Sequence, residues 1–221
     1  TPCGTLFPYT TLFRSAADNG FAFYAWANIP MTDQNMFGKD NEDAFEFSEV
    51  DLMIEYSHNF GLENACFSIG CAQYLYPDPT YEGAADAPPT RELYLVASYA
   101  TCLSPTLSLY YDVDDNDGGF YGNLKISHAI NVNEKLSLDM FASVGWANSD
   151  YNDYYIGYDD SEMADMNAGV NAGYQITEAV SVSASVTYST LLDSDLEQAA
   201  EAVYYNDDDT VIGSISISIG F

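Results

Sequence analysis

Basic residues are scarce in this sequence: 221 residues carry five Lys and Arg against 34 Asp and Glu, a formal charge of −29. A nucleic-acid partner is excluded on that ground, because a phosphate backbone demands a basic surface. Docking onto anionic lipid through a basic patch is excluded for the same reason. Long apolar runs are also missing. No stretch reaches the roughly eighteen consecutive apolar residues that a membrane-spanning helix needs, so an α-helical membrane protein is ruled out. Histidine is limited to His58 and His128. Neither shares a face with a Ser nucleophile and an acid, so no catalytic residues are expected and the chain does not read as an enzyme. The four cysteines form no CxxC pair and have no histidine cluster beside them, so neither a zinc site nor another resident cofactor is expected.

What the sequence does hold is tyrosine (19), phenylalanine (12) and alternation. In 180–190, Val180, Val182, Ala184, Val186 and Tyr188 share one face, and Ser181, Ser183, Ser185, Thr187 and Ser189 share the other. The C-terminal segment repeats this, with Val211, Ile215, Ile217, Ile219 and Phe221 set against Ser214, Ser216 and Ser218. Period two marks strands whose faces meet different surroundings. Segments 49–58, 106–114 and 136–146 alternate as clearly, and 65–76, 91–101, 119–130 and 164–176 do so less cleanly. Segment 20–29 completes ten strands, with aromatics on both faces and its orientation open.

Residues 5–15 read Thr-Leu-Phe-Pro-Tyr-Thr-Thr-Leu-Phe-Arg-Ser. They are similar to the translation of a sequencing-adapter oligonucleotide and lack the layout of a signal peptide. Residues 1–15 are therefore read as a non-native segment and 16–221 as one domain, the alternative being a genuine leader or first strand. The export signal and some strands would then lie outside this sequence.

Short turns near 59–64, 102–105, 131–134 and 177–179 alternate with long acidic loops near 30–45, 77–90, 114–118, 147–162 and 190–209. Outer-membrane barrels show this asymmetry, with long external loops and short periplasmic turns. Placing the long loops outside sends Tyr56, Tyr99, Tyr174 and Phe221 to the periplasmic end of the apolar face. Tyr111, Phe120, Trp146 and Tyr188 then fall at the external end. These are two aromatic girdles of the kind that sit at membrane interfaces. The fold class is thus all-β: a transmembrane antiparallel up-and-down β-barrel with about ten strands visible. A soluble β-sandwich or lipocalin-like binding protein explains the alternation, but neither the loop asymmetry nor the girdles.

Several stretches resemble the TorF-type porin family: Glu49-Val-Asp-Leu-Met-Ile-Glu-Tyr-Ser57, Arg91-Glu-Leu-Tyr-Leu-Val-Ala-Ser-Tyr99, Tyr110-Tyr-Asp112 and Ser214-Ile-Ser-Ile-Ser-Ile-Gly-Phe221. The resemblance spans residues 20–221 in short motifs. It implies a bacterial outer-membrane channel, with about two further strands making twelve in the intact protein. Phe221, with apolar residues at alternate positions before it, resembles the C-terminal signal read by the barrel-assembly machinery. The expected partners are therefore that machinery and outer-membrane lipid.

Parity turns Glu49, Asp51, Glu55, Glu92 and Asp139 toward the lumen, with Lys125 as the main opposing charge. A ring of carboxylates favours cations, which predicts a weakly cation-selective diffusion pore. The alternative is that the same side chains fill a narrow, non-conducting structural or adhesive barrel. Asp112-Val-Asp-Asp-Asn-Asp-Gly118 resembles a calcium loop, but Asp117 stands where Gly is needed. Loose Ca²⁺ or Mg²⁺ at the acidic loops is the furthest this run goes, and no structural metal site is expected. Cys66 and Cys102 both lie on inward parity near the periplasmic ends of neighbouring strands. A disulfide between them is one reading, with Cys71 facing lipid; three unpaired thiols is the other.

Overall fold

The computed structural model describes residues 13–29, 47, 49–77, 89–204 and 209–220. Among these residues eleven strands form one sheet in sequence order, each antiparallel to the next. They are β1 (Phe13–Ala16), β2 (Phe21–Asn28), β3 (Glu49–His58), β4 (Ala65–Leu75), β5 (Thr90–Tyr99), β6 (Thr106–Asp112), β7 (Phe120–Asn131), β8 (Leu136–Ala147), β9 (Glu162–Gln175), β10 (Val180–Leu191) and β11 (Asp209–Ile219). Helix α1 (Ser149–Ile156) lies between β8 and β9, and helix α2 (Ser194–Tyr204) between β10 and β11. The chain is an all-β, up-and-down sheet. Among the described residues no ladder joins β11 to β1.

The ten expected strands are all present. An eleventh, β1, falls in the segment read from sequence as non-native, and it pairs Arg14 with Tyr24. Strand β2, of open orientation in the sequence, is settled by its ladder with β3. Ala22 pairs with Glu55 and Phe23 with Ile54, so Ala22 and Tyr24 turn inward and Phe21 and Phe23 outward.

The short turns are built by side chains that satisfy their own backbone. Asn133 Oδ1 accepts from the N–H groups of Lys135 and Leu136, each at 2.9 Å. Thr177 Oγ1 accepts from Ala179 and Val180. Phe60, Gly61 and Asn64 take positive φ between β3 and β4, where Asn59 Oδ1 receives the Gly61 N–H. Asx- and Thr-turns of this type close a hairpin locally.

Two of the expected long loops contain helices. The segment 147–162 holds α1 because Asn148 caps it, accepting from Tyr151 N–H at 3.1 Å, and Gly157 ends it in the left-handed conformation at φ 75°. The segment 190–209 holds α2, started by Asp193, whose Oδ1 accepts from Asp195 and Leu196 N–H. Neither helix is long and apolar enough to cross a membrane.

A register shift between Val144 and Trp146 sets Trp146 opposite Met163 but Val144 opposite Met166. A bulge of this kind adds a residue to one strand and changes its parity. The shift falls at the start of β9, and beyond it Met166 to Tyr174 keep a continuous register with β8.

Burial across the sheet is inverted relative to a water-soluble protein. On the outer face Ile54, Ile69 and Leu95 are more than half exposed, while on the inner face Asp51, Glu55 and Glu92 are less than a tenth exposed. Each large aliphatic side chain left in water forfeits roughly 1.5–3 kcal/mol. An acyl-chain surrounding removes that cost. The soluble β-sandwich alternative needs the apolar face to be its core, and here that face is the uncovered one.

Candidate functional site: the acidic tyrosine wall

The inner wall is made of carboxylates held by phenols. Strand alternation sends Asp51, Glu55, Glu92 and Asp112 to one face, and the antiparallel registers bring tyrosines beside them. Glu55 accepts from Tyr24 at 3.5 Å and Ser57 at 2.8 Å through Oε1, and from Tyr94 at 3.4 Å through Oε2. Tyr74 donates to Glu92 at 2.7 Å, and Thr90 donates to Asp112 Oδ2 at 2.6 Å. Further along the sheet Tyr121 donates to Asp165 at 2.8 Å, beside an Asn167 bond at 2.6 Å. Hydroxyl donors let carboxylates stay buried without cations, and bonds to charged groups contribute roughly 1.5–3 kcal/mol each.

The tyrosines also touch one another. Ring centroids of Tyr94 and Tyr110 lie 6.1 Å apart, Tyr110 and Tyr121 6.2 Å, Tyr121 and Tyr151 5.4 Å, and Tyr151 and Tyr155 4.6 Å. This ladder starts on β5 and ends on α1, so the helix is docked by aromatic stacking. Tyr154 of α1 donates to Asp115 in the β6–β7 loop. Burial, followed by the carboxylate bond, pushes the Tyr154 phenol well above the ordinary range. Burial and neighbouring phenols do the same for Tyr155. Both therefore remain donors at neutral pH.

Each site residue read from the sequence has a definite place. Glu49, Asp51, Glu55, Glu92, Lys125 and Asp139 all carry inward positions in the ladders. Glu49, Asp51, Glu55 and Glu92 gather on β3 and β5. Lys125 stands apart on β7, its Nζ 4.8 Å from the Phe141 ring centroid. Asp139 is separate again, on β8 opposite Asn171, with a buried Oδ1 that has no hydrogen-bond partner. A second inward cation, missed in the sequence, is Arg14, whose guanidinium lies 5.7 Å from the Tyr24 ring centroid. The tyrosine ladder was missed too, because it joins four separate elements, β5, β6, β7 and α1. Its one sequence signal was the tyrosine excess.

On the outer face, Tyr56, Tyr99 and Tyr174 stand near the short-turn ends of their strands. Tyr111, Phe120, Trp146 and Tyr188 stand near the long-loop ends. Tyr56 packs on Phe21 at 4.9 Å and Phe120 on Trp146 at 5.8 Å. Phe221 lies outside the described residues. Both histidines make local contacts near the short turns: His58 Nδ1 accepts from Phe60 N–H at 2.8 Å, and His128 Nδ1 lies 2.7 Å from the Cys102 carbonyl oxygen.

The Cys66–Cys102 disulfide is not formed. Cys66 is disulfide-bonded, whereas Cys102 is a free, exposed thiol. Register is the reason. Cys66 pairs with Ser98, and Cys102 lies beyond the end of β5 in the turn, its Sγ 3.6 Å from His128 Nδ1. Cys71 is free on the outer face. In the 112–118 run, Asp112 spends its carboxylate on Thr90 and on Asp114 N–H, and Asp114 pairs with Arg91 at 2.9 Å. The loop thus closes on itself, and among the described residues no group of three His, Cys, Asp or Glu is placed to hold a metal ion.

No curated protein matches the chain. A family model described as "MltA-interacting protein MipA" matches residues 77–221, from the end of β4 to the C-terminus. Its span takes in the tyrosine ladder, α1, α2 and β5 to β11. It is a different outer-membrane family from the TorF-type porins that the short motifs resemble. The match covers most of the chain, and with the up-and-down sheet it shows that the protein belongs to the MltA-interacting protein MipA family, a family of outer-membrane β-barrel proteins.

Proposed function

We propose that this chain forms an outer-membrane channel for passive diffusion of small solutes, with a weak preference for cations. The inverted burial is the observation that carries the reading: the apolar face is uncovered and the acids are inside. In this reading the sheet closes into a barrel, further strands complete it, and Phe221 engages the barrel-assembly machinery. The TorF-like motifs at 49–57 and 91–99 support a pore, since they contribute four of its inward acids. Carboxylates in a confined, low-dielectric lumen repel anions and attract cations. No enzymatic step and no resident cofactor enter this reading.

The test is a planar-bilayer recording across a potassium chloride gradient. A reversal potential on the cation side supports the channel, and Glu55→Gln with Glu92→Gln shifts it toward zero. An anion-side potential, or no conductance from a folded protein, overturns it.

A second reading is favoured by one observation. The family's name refers to interaction with MltA, and the short-turn rim exposes Phe60, Leu62, Leu103, Val132 and Ile176. We propose this rim as the side on which such a partner would sit, making the barrel a structural anchor. Co-purification with MltA that is lost in Phe60→Asp with Leu103→Asp supports it. Retention in that variant rejects this rim.

A further inference from the structure

We infer that the external end of the inner wall binds an organic ammonium solute, with Asp51 as the anchoring carboxylate. The inference deepens the channel reading, which supplies the route by which a solute arrives. Asp51 is 7% exposed, yet its Oδ1 has no hydrogen-bond partner. A buried acceptor left unpaired costs its full desolvation, so the site is incomplete without a donor. Glu49 and Glu92 lie within electrostatic range of it. Among the described residues the ion pair is Arg91–Asp114, and Arg91 has outward parity, so no described cation is paired with the trio.

Aromatic rings complete the chemistry. Tyr74 is the cross-strand partner of Asp51. Tyr76, just past β4, is within range of Glu49, Asp51, Glu92 and Tyr154, and Tyr155 is within range of Tyr76 and Glu92. Helix α1 thus brings tyrosine from a distant part of the chain to the acidic end of β3 and β5. Carboxylates beside several phenol rings suit an ammonium group, which gives N–H bonds to oxygen and is drawn to ring faces. A bare metal ion is a poorer fit. No group of three His, Cys, Asp or Glu among the described residues is placed to hold one, and Glu92 already accepts from Tyr74. A neutral sugar could donate to Asp51 but would leave the charge of the trio uncompensated.

The experiment titrates the full chain, folded in detergent, with 1,5-diaminopentane by calorimetry, with calcium chloride and glucose as comparisons. Saturable binding is expected for the diamine alone. Asp51→Asn should weaken it by about tenfold or more, and Tyr155→Leu by several-fold, as loss of a desolvated cation–π contact would. Heat-modifiable gel mobility checks that each variant is folded, and Tyr155→Leu leaves the strands untouched if Asp51→Asn fails that check. Unchanged diamine affinity in a folded variant of either kind overturns the site, as does calcium binding equal to the diamine. Bilayer conductance of the same preparation separates the two readings. Binding without conductance keeps the site and defeats the channel, whereas conductance without binding defeats the site alone.

Discussion

Tyr94 lies over the backbone of Gly70, its cross-strand partner between β4 and β5. A Cβ built at residue 70 would stand 2.1 Å from the ring's Cζ. The ring is 1% exposed and its hydroxyl reaches Glu55 on the next strand but one. A missing side chain on β4 thus lets one tyrosine tie β5 to β3. Gly169 stands in the same relation to Phe141, at 2.7 Å from a ring carbon. Aromatic cover of sheet glycines restores packing where the glycine itself offers none.

Gly70→Ala should therefore displace Tyr94 and destabilise the folded sheet by about 1–3 kcal/mol, the usual cost of overpacking. Melting followed by gel mobility in detergent measures it. Adding Tyr94→Ala should make the glycine substitution nearly neutral, because its clash partner is gone. Additive losses would show that the ring does not define the cost.

Asn148 joins three pieces of chain. Its Oδ1 accepts from Phe120 and Tyr151 N–H, and its Nδ2 donates to the Gly118 carbonyl at 2.8 Å. Asn148→Ala removes a helix cap, which costs about 1 kcal/mol. The expected result is faster protease cleavage within 113–119 and 149–157, with the sheet's melting temperature little changed. Equal cleavage rates would show that the tyrosine ladder alone holds α1.

Leu95 is 52% exposed on the outer face, beside Ile69 and Leu109. In water, Leu95→Arg would be nearly neutral. At the middle of a bilayer it should cost roughly 2–4 kcal/mol. Refolding yield into lipid vesicles, compared with the parent, decides between the two. A variant that folds into vesicles as well as the parent would contradict a lipid-facing β5.

Cys102 is exposed in a turn, whereas Cys71 is on the apolar face and Cys66 is oxidised. A water-soluble maleimide added to vesicle-embedded protein should label Cys102 and spare Cys71, since thiol reactivity needs access to water. Peptide mass mapping reads the sites. Equal labelling of Cys71 would show that lipid does not cover its face.

Much of the molecule was legible in the sequence because strand parity is a local property. Alternation at 180–190 and 136–146 assigned faces correctly, since each successive side chain must point the opposite way. The same parity turned Asp51, Glu55 and Glu92 inward before any ladder was known. Where an extra residue intrudes, as between Met163 and Met166 opposite the Val144–Trp146 shift, parity slips locally and the sequence gives no sign of it. The disulfide failed for a related reason. Parity places a cysteine on a face, but the two-residue offset that sets Cys66 against Ser98 depends on turn geometry.

The amino-acid sequence by itself determined ten of the eleven strands, the two faces of all but β2, and the side taken by the acids of β3 and β5, because these follow from neighbours two residues apart. Tertiary structure decided which acids meet which phenols. Pairing Tyr94 with Glu55, 39 residues away, and stacking Tyr121 on Tyr151 of α1 require strand registers and a docked helix. Registers are fixed by turns and bulges distributed along the chain, and the helix by a cap and an aromatic contact from different elements. Such joint constraints leave no periodic mark in the sequence, so the wall's chemistry became visible only once the sheet was assembled.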